Sequence, residues 1–369
     1  MVTSVERPHL RDIAVSALPD RLRAAGIGMP GPLARQLIWK IHGTGALDWD
    51  ELGLGRLRQA MLRARFRFGA QLAPESVREA ADGTRKFAFR LTTGEVIEAV
   101  FIRNRDNRTL CLSSQAGCAM GCTFCATGAL GLLRQMTPGE ITEARVRIEA
   151  VTRERVTDVV FMGMGEPLHN YDAVMIACEN LNCTDAAPIS RKRLTVSTSG
   201  LTPAIRRFTD ESRPWRLHLS LHSAIQEVRE RIMPIARLHP LPELIDAMRA
   251  FQARSGRKWV TLQYVTLPGV NMDDAHVDAL QRELRGLRYI LNVIPWNETG
   301  GAFRSPTWAE VKEFTTRLRR LGCPVKVRYS AGKREGMGCG QLSAETVAAT
   351  QDRSAAGGHM LAPPGVFTR

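Results

Sequence analysis

The sequence predicts an α/β fold: a partial, open (β/α)6 barrel with a small helical accessory domain before it and a short β-hairpin extension. Three observations carry this expectation. Short apolar, β-rich segments recur at 109–114, 158–162, 194–198, 217–221, 260–265 and 290–294. Helical patterns lie near 138–152, 171–182, 202–209, 224–232, 242–254 and 273–286, and strands alternating with helices build a parallel sheet. Six such units in about 185 residues are too few for a closed eight-fold barrel.

Residues 1–95 differ in texture and read as an accessory unit that binds nucleic acid. Patterns at 18–23 and 31–42 predict short helices, the second opened by Pro32 in its first turn. A third begins at Asp48 and is expected to run through Met61. From Arg56 to Arg67 there are five arginines (56, 58, 63, 65, 67) and no acid, so this stretch is either a solvated helix face or a phosphate-contacting surface. Alternation over 85–103 predicts two strands joined at Gly94. The core is expected over 96–345, with a last helix near 307–321 and a strand at 325–329. A tail rich in Ala, Gly and Pro, 346–369, is expected to be flexible.

The chain has 369 residues and a formal net charge of +14. Hydrophobic residues make up 44% and charged ones 24%, which excludes disordered, collagenous and fibrous classes. No window approaches the run of about 18 apolar residues that spans a bilayer, and no secretory signal is visible. The expectation is therefore a cytoplasmic protein without a membrane partner. Arginine outnumbers lysine 44 to seven, a bias that genome composition alone can produce. The sign of the charge nevertheless favours a polyanionic partner, of which nucleic acid is the commonest.

Eight cysteines sit at 111, 118, 122, 125, 178, 183, 323 and 339. In a cytosolic chain such clustering reads as metal binding or catalysis. Cys118, Cys122 and Cys125 form Cys-x3-Cys-x2-Cys directly after the first barrel strand, with Gly117, Gly121 and Gly128 around them. A structural zinc site wants a fourth ligand, and none stands at typical spacing. Three unrelated core cysteines are the blander alternative. An iron–sulfur cluster fits better, because three thiolates leave one iron open to a small molecule.

Other strand ends also finish in polar residues: Gly165-Glu166-Pro167, Ser197 with Thr198, Ser220-Leu221-His222, and Asn297. Each can be read as a helix cap, and His222 alone as a structural histidine. Four such ends on one face of a barrel favour a ring of ligand contacts.

The cysteine loop resembles the signature of radical S-adenosylmethionine (SAM) enzymes. Within that superfamily the chain resembles the RlmN/Cfr family of RNA adenine methyltransferases. The motifs that carry this run in family order from about 84 to 343. They are Cys111-x-Ser-Ser-Gln-x-Gly-Cys118, Gly-Met-Gly-Glu166-Pro-Leu, Arg193-Leu-Thr-Val-Ser197-Thr-Ser-Gly, Ser220-Leu-His222, Ile-Pro-Trp-Asn297 and Cys339-Gly-Gln-Leu.

The resemblance implies a [4Fe-4S] cluster on Cys118, Cys122 and Cys125. It implies SAM held by Gly165, Glu166, Ser197, Ser220, Leu221, His222 and Asn297. It also implies that Cys339 takes a methyl group from one SAM, and that a radical from a second SAM activates this S-methyl group toward an adenine carbon. Glu98 would remove the ring proton, and Cys111 would release the RNA by forming a transient disulfide with Cys339. Pattern alone would leave Glu98 a solvent-facing strand residue. Cys178, Cys183 and Cys323 match nothing in this chemistry and read as helix or core cysteines.

The implied substrate is large-subunit rRNA, with tRNA as a second candidate, and a cellular electron donor serves a monomeric enzyme. Pro167 and the 295–297 segment lean toward C2 rather than C8 of adenine. One departure stands out: residues 332–338, just before Cys339, read Gly-Lys-Arg-Glu-Gly-Met-Gly, richer in glycine and cations than the family's usual stretch. Two rival readings stay open at this point. One is a different radical SAM reaction on the same scaffold; the other is a non-catalytic, zinc-containing RNA-binding protein.

Overall fold

A computed structural model describes residues 7–300 and 302–342. The tail expected to be flexible, together with the end of the expected core at 343–345, lies outside the described residues.

The described residues form twelve strands: β1 (Leu72–Glu79), β2 (Arg85–Leu91), β3 (Val96–Arg103), β4 (Arg108–Leu112), β5 (Gln115–Gly117), β6 (Leu132–Gln135), β7 (Asp158–Phe161), β8 (Leu194–Thr198), β9 (Arg216–Ser220), β10 (Val260–Thr266), β11 (Tyr289–Pro295) and β12 (Val325–Val327). Ten of them make one sheet in the order β1-β2-β3-β4-β7-β8-β9-β10-β11-β12, and β5 pairs with β6 apart from it. From β4 onward the sheet strands are parallel, whereas β1 to β4 form an antiparallel meander. Parallel strands need crossovers, and helices of the right length separate them. Among the described residues the sheet is open, with β1 and β12 at its edges.

The helices start where the sequence provides caps. Thr137 and Glu140 form a capping box at the start of Pro138–Thr152, and Thr307 and Glu310 form another at Trp308–Leu318. Central strands such as β8 are buried at every position, as a sheet covered on both faces requires.

Two findings differ from the expectations. The helix expected from Asp48 through Met61 is broken: a short turn at Asp50–Leu52 ends at Gly53, which has φ +66°, and a new helix, Arg56–Arg65, starts after Gly55. A left-handed residue terminates a helix, and glycine adopts that conformation at little cost. The expected boundary at 95 falls inside the β2–β3 hairpin, whose strands are paired from Arg85↔Phe101 to Arg90↔Val96. A separate apolar core gathers Leu10, Leu37, Ile41, Leu62 and Phe68, so packing changes near residue 70 instead.

That amino-terminal core is fastened by buried polar contacts. Arg11 lies 3.8 Å from Glu143, with both side chains excluded from solvent. Glu143 also accepts the N–H groups of Gln71 and Leu72. Asp12 caps the N–H of Gly139 at 2.8 Å, and Asn180 accepts that of Val15 at 2.9 Å. Buried charges persist only when paired and hydrogen-bonded, so this seam fixes how the helical unit docks.

Candidate active site

The carboxyl ends of the parallel strands open into a cavity. Its wall includes the loop residues Cys118, Cys122 and Cys125, then Gly165 and Glu166 after β7, Ser197 at the end of β8 and Ser220 at the end of β9. His222, Trp296, Asn297 and Cys339 complete it. Backbone geometry explains how three cysteines fit into so short a loop. Gly117 has φ +74°, and a Cβ there would stand 2.0 Å from the carbonyl oxygen of Gly131. No side chain fits, so the chain closes tightly beneath the thiols. Apolar Met120, Phe124, Met233 and Trp296 line the same space.

Burial pushes the Cys118 thiol up to about 12, and Cys122 is raised well above its ordinary value by burial and then by Cys125 and Cys118. Thiols so placed become ligands by releasing their protons to solvent as a cation binds. Arg229 stands behind them with no exposure, donating to the carbonyls of Leu221 and Ser199, while its Nη1 has no hydrogen-bond partner among the described residues. Burial lowers it to about 10 and the Cys122 sulfur opposes that shift, so it stays cationic at neutral pH. A buried cation beside three thiolates suits an anionic cluster. Among the described residues no three His, Cys, Asp or Glu side chains converge on a single ion. A cuboidal cluster asks for a different arrangement, each thiolate on its own iron.

The Gly-Glu-Pro segment is positioned by Gln115, which sequence reasoning quoted but assigned no role. Its Oε1 accepts the Glu166 N–H at 2.7 Å, and its Nε2 donates to Gln135 and bonds His169 Nδ1. Gly165, with φ +98°, is the residue Gln115 presses on: a Cβ there would lie 2.6 Å from the Gln115 Cβ. Glu166 accepts the N–H of Leu168 at 3.0 Å and of Ser199 at 2.7 Å, tying the end of β7 to the end of β8. Burial raises its pKa from the usual carboxylate range.

His222 has φ +59°, and its Nδ1 accepts the Val265 N–H at 3.0 Å. Burial, with Arg229 next in effect, holds it down to about 3, so it presents a neutral ring against Phe124. Asn297 lines the cavity, but its Nδ2 is committed to Ser330 Oγ and the Cys339 carbonyl. Leu221, expected among the SAM contacts, is off the wall: its side chain is in the sheet core and its N–H donates to Gln263. The even, core-facing alternation of β9 continues through it and carries it inward.

A second cavity adjoins the first. Met162, Gln263, Ile294, Cys339 and Leu342 border both. Cys111 lies on its wall with Val100, Asn104, Arg328 and Tyr329. Cys111 opposes Val100 on β3 and Val160 on β7, and all three face this space. Both Cys111 and Cys339 are free thiols. Burial, with Cys339 second, pushes Cys111 up to about 12; burial, with Cys125 second, raises Cys339. Cys339 still exposes surface because it stands at the mouth common to both cavities.

Glu98 lies on neither wall. Its carboxylate is 3.2 Å from Lys86 Nζ, and both side chains are almost wholly buried. It shares a face of β3 with Val100, two residues on, so it lies alongside the Cys111 cavity. Of the remaining cysteines, Cys178 is buried in the helix Tyr171–Leu181, Cys183 packs on the amino-terminal core, and Cys323 stands beside Tyr289.

Comparison with known proteins fits this geometry. Residues 112–280 match the family model of the radical SAM superfamily, so fold and site together define a radical SAM enzyme. A dual-specificity RNA methyltransferase RlmN from Syntrophobacter fumaroxidans is 40% identical over 327 residues, covering 87% of this chain and 94% of that protein. The RlmN of an Anaeromyxobacter species is also 40% identical, over 92% of this chain and 91% of its own length. A crystal structure of a radical SAM methyltransferase from Sphaerobacter thermophilus superposes with a TM-score of 0.83 at 38% identity, covering 90% of this chain and 98% of that one. The chain belongs to the RlmN family of radical SAM RNA methyltransferases. It is accordingly a SAM-dependent enzyme that uses a [4Fe-4S] cluster and acts on RNA. Among the described residues no helix is long and apolar enough to cross a membrane.

Proposed function

We propose that this protein methylates C2 of an adenine in large-subunit rRNA, and in tRNA, through Cys339 as methyl carrier and Cys111 as the thiol that frees the product. The observation that carries the reading is the place of Cys339 at the mouth shared by the three-cysteine cavity and the Cys111 cavity. A carrier must meet the methyl donor on one side and the acceptor base on the other.

Cluster and SAM together supply the one-electron chemistry that makes an inert S-methyl C–H bond reactive. The chain's own residues do the rest. Cys118, Cys122 and Cys125 hold the cluster, while Gly165, Glu166, Ser197, Ser220, His222 and Asn297 surround SAM. Cys339 gives up its proton and its sulfur forms an S–C bond to the methyl group of one SAM, whose own methyl–sulfonium bond breaks so that S-adenosylhomocysteine leaves. Glu98 takes the ring proton of the adenine; it lies two residues along β3 from Val100 of the second cavity, whose wall holds no carboxylate among the described residues. The Cys111 thiolate then attacks the Cys339 sulfur. By then the carried carbon is bonded to the adenine carbon; an S–S bond forms, the S–C bond breaks, and the carbon keeps that electron pair and takes up a proton to become the methyl group of the product. A dithiol reductant returns two electrons to the disulfide. The reading includes a cellular electron donor, a monomeric working form and a cytoplasmic location.

Nucleoside analysis of purified rRNA and tRNA after incubation with enzyme, SAM and reductant tests this reading. It predicts 2-methyladenosine in both; 8-methyladenosine would overturn the choice of carbon. The two dual-specificity relatives support the two-substrate choice, and the resemblance at Pro167 and 295–297 supports C2.

Arg56, Arg58 and Arg65 are exposed on the helix Arg56–Arg65 and form the candidate phosphate-contacting face. Arg63 leans on Trp49, and Arg67 donates to the Arg7 carbonyl, so these two do structural duty as well. Changing Arg56, Arg58 and Arg65 together to Ala should reduce the slope of log affinity against log salt by about 2 to 3. An unchanged slope removes this face from the RNA contact.

A further inference from the structure

The turn that delivers Cys339 is fastened from a part of the chain that lies outside the parallel core. It begins at Gly332 and ends at Gly336, both left-handed, with φ +59° and +70°. The Gly332 carbonyl accepts the N–H groups of Glu335 and Met337, which closes the turn on itself. Its two ends are then gripped by the β1–β2 hairpin. Asp82 Oδ2 accepts the Gly332 N–H at 2.9 Å, and its other oxygen accepts that of Thr84, so the carboxylate is aimed. Lys86 Nζ donates to the Gly336 carbonyl at 3.1 Å while paired with Glu98. Met337 is buried against this junction, and a Cβ at Gly332 would come within 2.9 Å of the Met337 Cβ. Beyond it, Asn297 and Ser330 hold the Cys339 backbone from the opposite side.

We propose that Asp82 and Lys86 are positioning residues for Cys339, setting its sulfur at the mouth shared by the two cavities. The proposal rests on the carrier role argued for Cys339. Sulfur placement matters because a misplacement of about 1 Å can cost on the order of 10²-fold in rate. Lys86 contributes twice: one donor holds the carrier turn, and its charge faces the Glu98 carboxylate on β3. The β1–β2 hairpin thereby acts as part of the active site without touching substrate. The unusual glycine content of 332–338 fits the grip, since both gripped residues need the left-handed conformation.

Limited trypsin digestion of the full-length, cluster-loaded protein tests the proposal, because Lys333 and Arg334 are exposed on this turn. Lys86→Met should speed cleavage after these residues by roughly fivefold or more, since a freed turn opens locally more often. Iron per chain should not change, and the fraction of Cys339 carrying a methyl should fall. Lys86→Arg, which keeps a donor and a charge, should restore both protection and methylation. Asp82→Ala should loosen the other end in the same way. Should Lys86→Met misfold because Glu98 loses the cation that faces it, Lys86→Met with Glu98→Gln removes the carboxylate charge as well. That double variant should cleave fast, while Glu98→Gln alone stays protected. Wild-type cleavage rates in the double variant would overturn the proposal. A wild-type enzyme lacking S-methyl-Cys339, with the cleavage pattern as expected, would instead defeat the carrier role and leave the anchoring intact.

Discussion

Cys111→Ala is expected to stop the enzyme with RNA covalently joined to Cys339. The substitution removes one sulfur from a wall whose backbone is fixed on both sides, by Val100 of β3 and Val160 of β7. The cavity should therefore keep its form, and steps before release should proceed. Among the described residues the wall offers no thiol besides Cys111 and Cys339. The hydroxyls of Ser330 and Thr109 are poor replacements, because attack on sulfur calls for a thiolate. Denaturing gels should show a protein–RNA band, and protease digestion should leave the Cys339 peptide attached to a nucleotide. Turnover should fall by roughly 10³-fold or more, as losses of catalytic nucleophiles do. Free methylated RNA at the normal rate would contradict the resolving role of Cys111.

Gly117→Ala is expected to abolish the cluster without touching any ligand. The added methyl group would meet the Gly131 carbonyl oxygen at 2.0 Å, and φ +74° is itself strained for alanine. Neither atom is the end of a flexible side chain, so the backbone must open. Opening it shifts Cys118, the next residue, whose N–H donates to that same Gly131 carbonyl at 2.7 Å. A cluster held by three thiolates has no spare ligand to compensate. Iron and labile sulfide should drop to roughly a tenth of wild type or less, while circular dichroism still reports the folded sheet. Full iron and sulfide content would show that the loop tolerates the change and that the close approach does not govern it.

Much of the fold was legible because apolar periodicity is a local signal. The parallel strands and their helices fall within a few residues of their expected places, since buried strands read as short β-branched runs. β1 was not foreseen. It is an edge strand with Pro74 at a bulge and mostly exposed polar positions, so it has neither the alternation nor the hydrophobicity of a strand. β5 and β6 also escaped notice. They are held by the Gly117 turn and by Gln115, not by an apolar face.

The candidate site divides along the same line. The three cysteines were visible through spacing and glycine, because one short loop contains the whole device. Arg229 was not, since it sits among the charges of Gln226–Ile232 and only tertiary packing turns it beneath Cys122. Leu221 was assigned to the wall by its place in a motif, yet strand alternation sends it into the core. Glu98 was assigned by resemblance as a base, but its ion pair with Lys86 connects residues that no local pattern associates. The bond from Lys86 to Gly336 spans 250 positions of sequence, which is why the hairpin looked like an accessory.

Every step proposed for this enzyme passes through Cys339 as the carrier of the methyl group. Mass spectrometry of the Cys339 peptide, from full-length protein loaded with its cluster and supplied with SAM but no RNA, tests it most directly. The peptide should be heavier by one methylene, on sulfur, and should lose that mass when RNA and reductant are added. An unmodified Cys339 under conditions where the same preparation methylates RNA would contradict it.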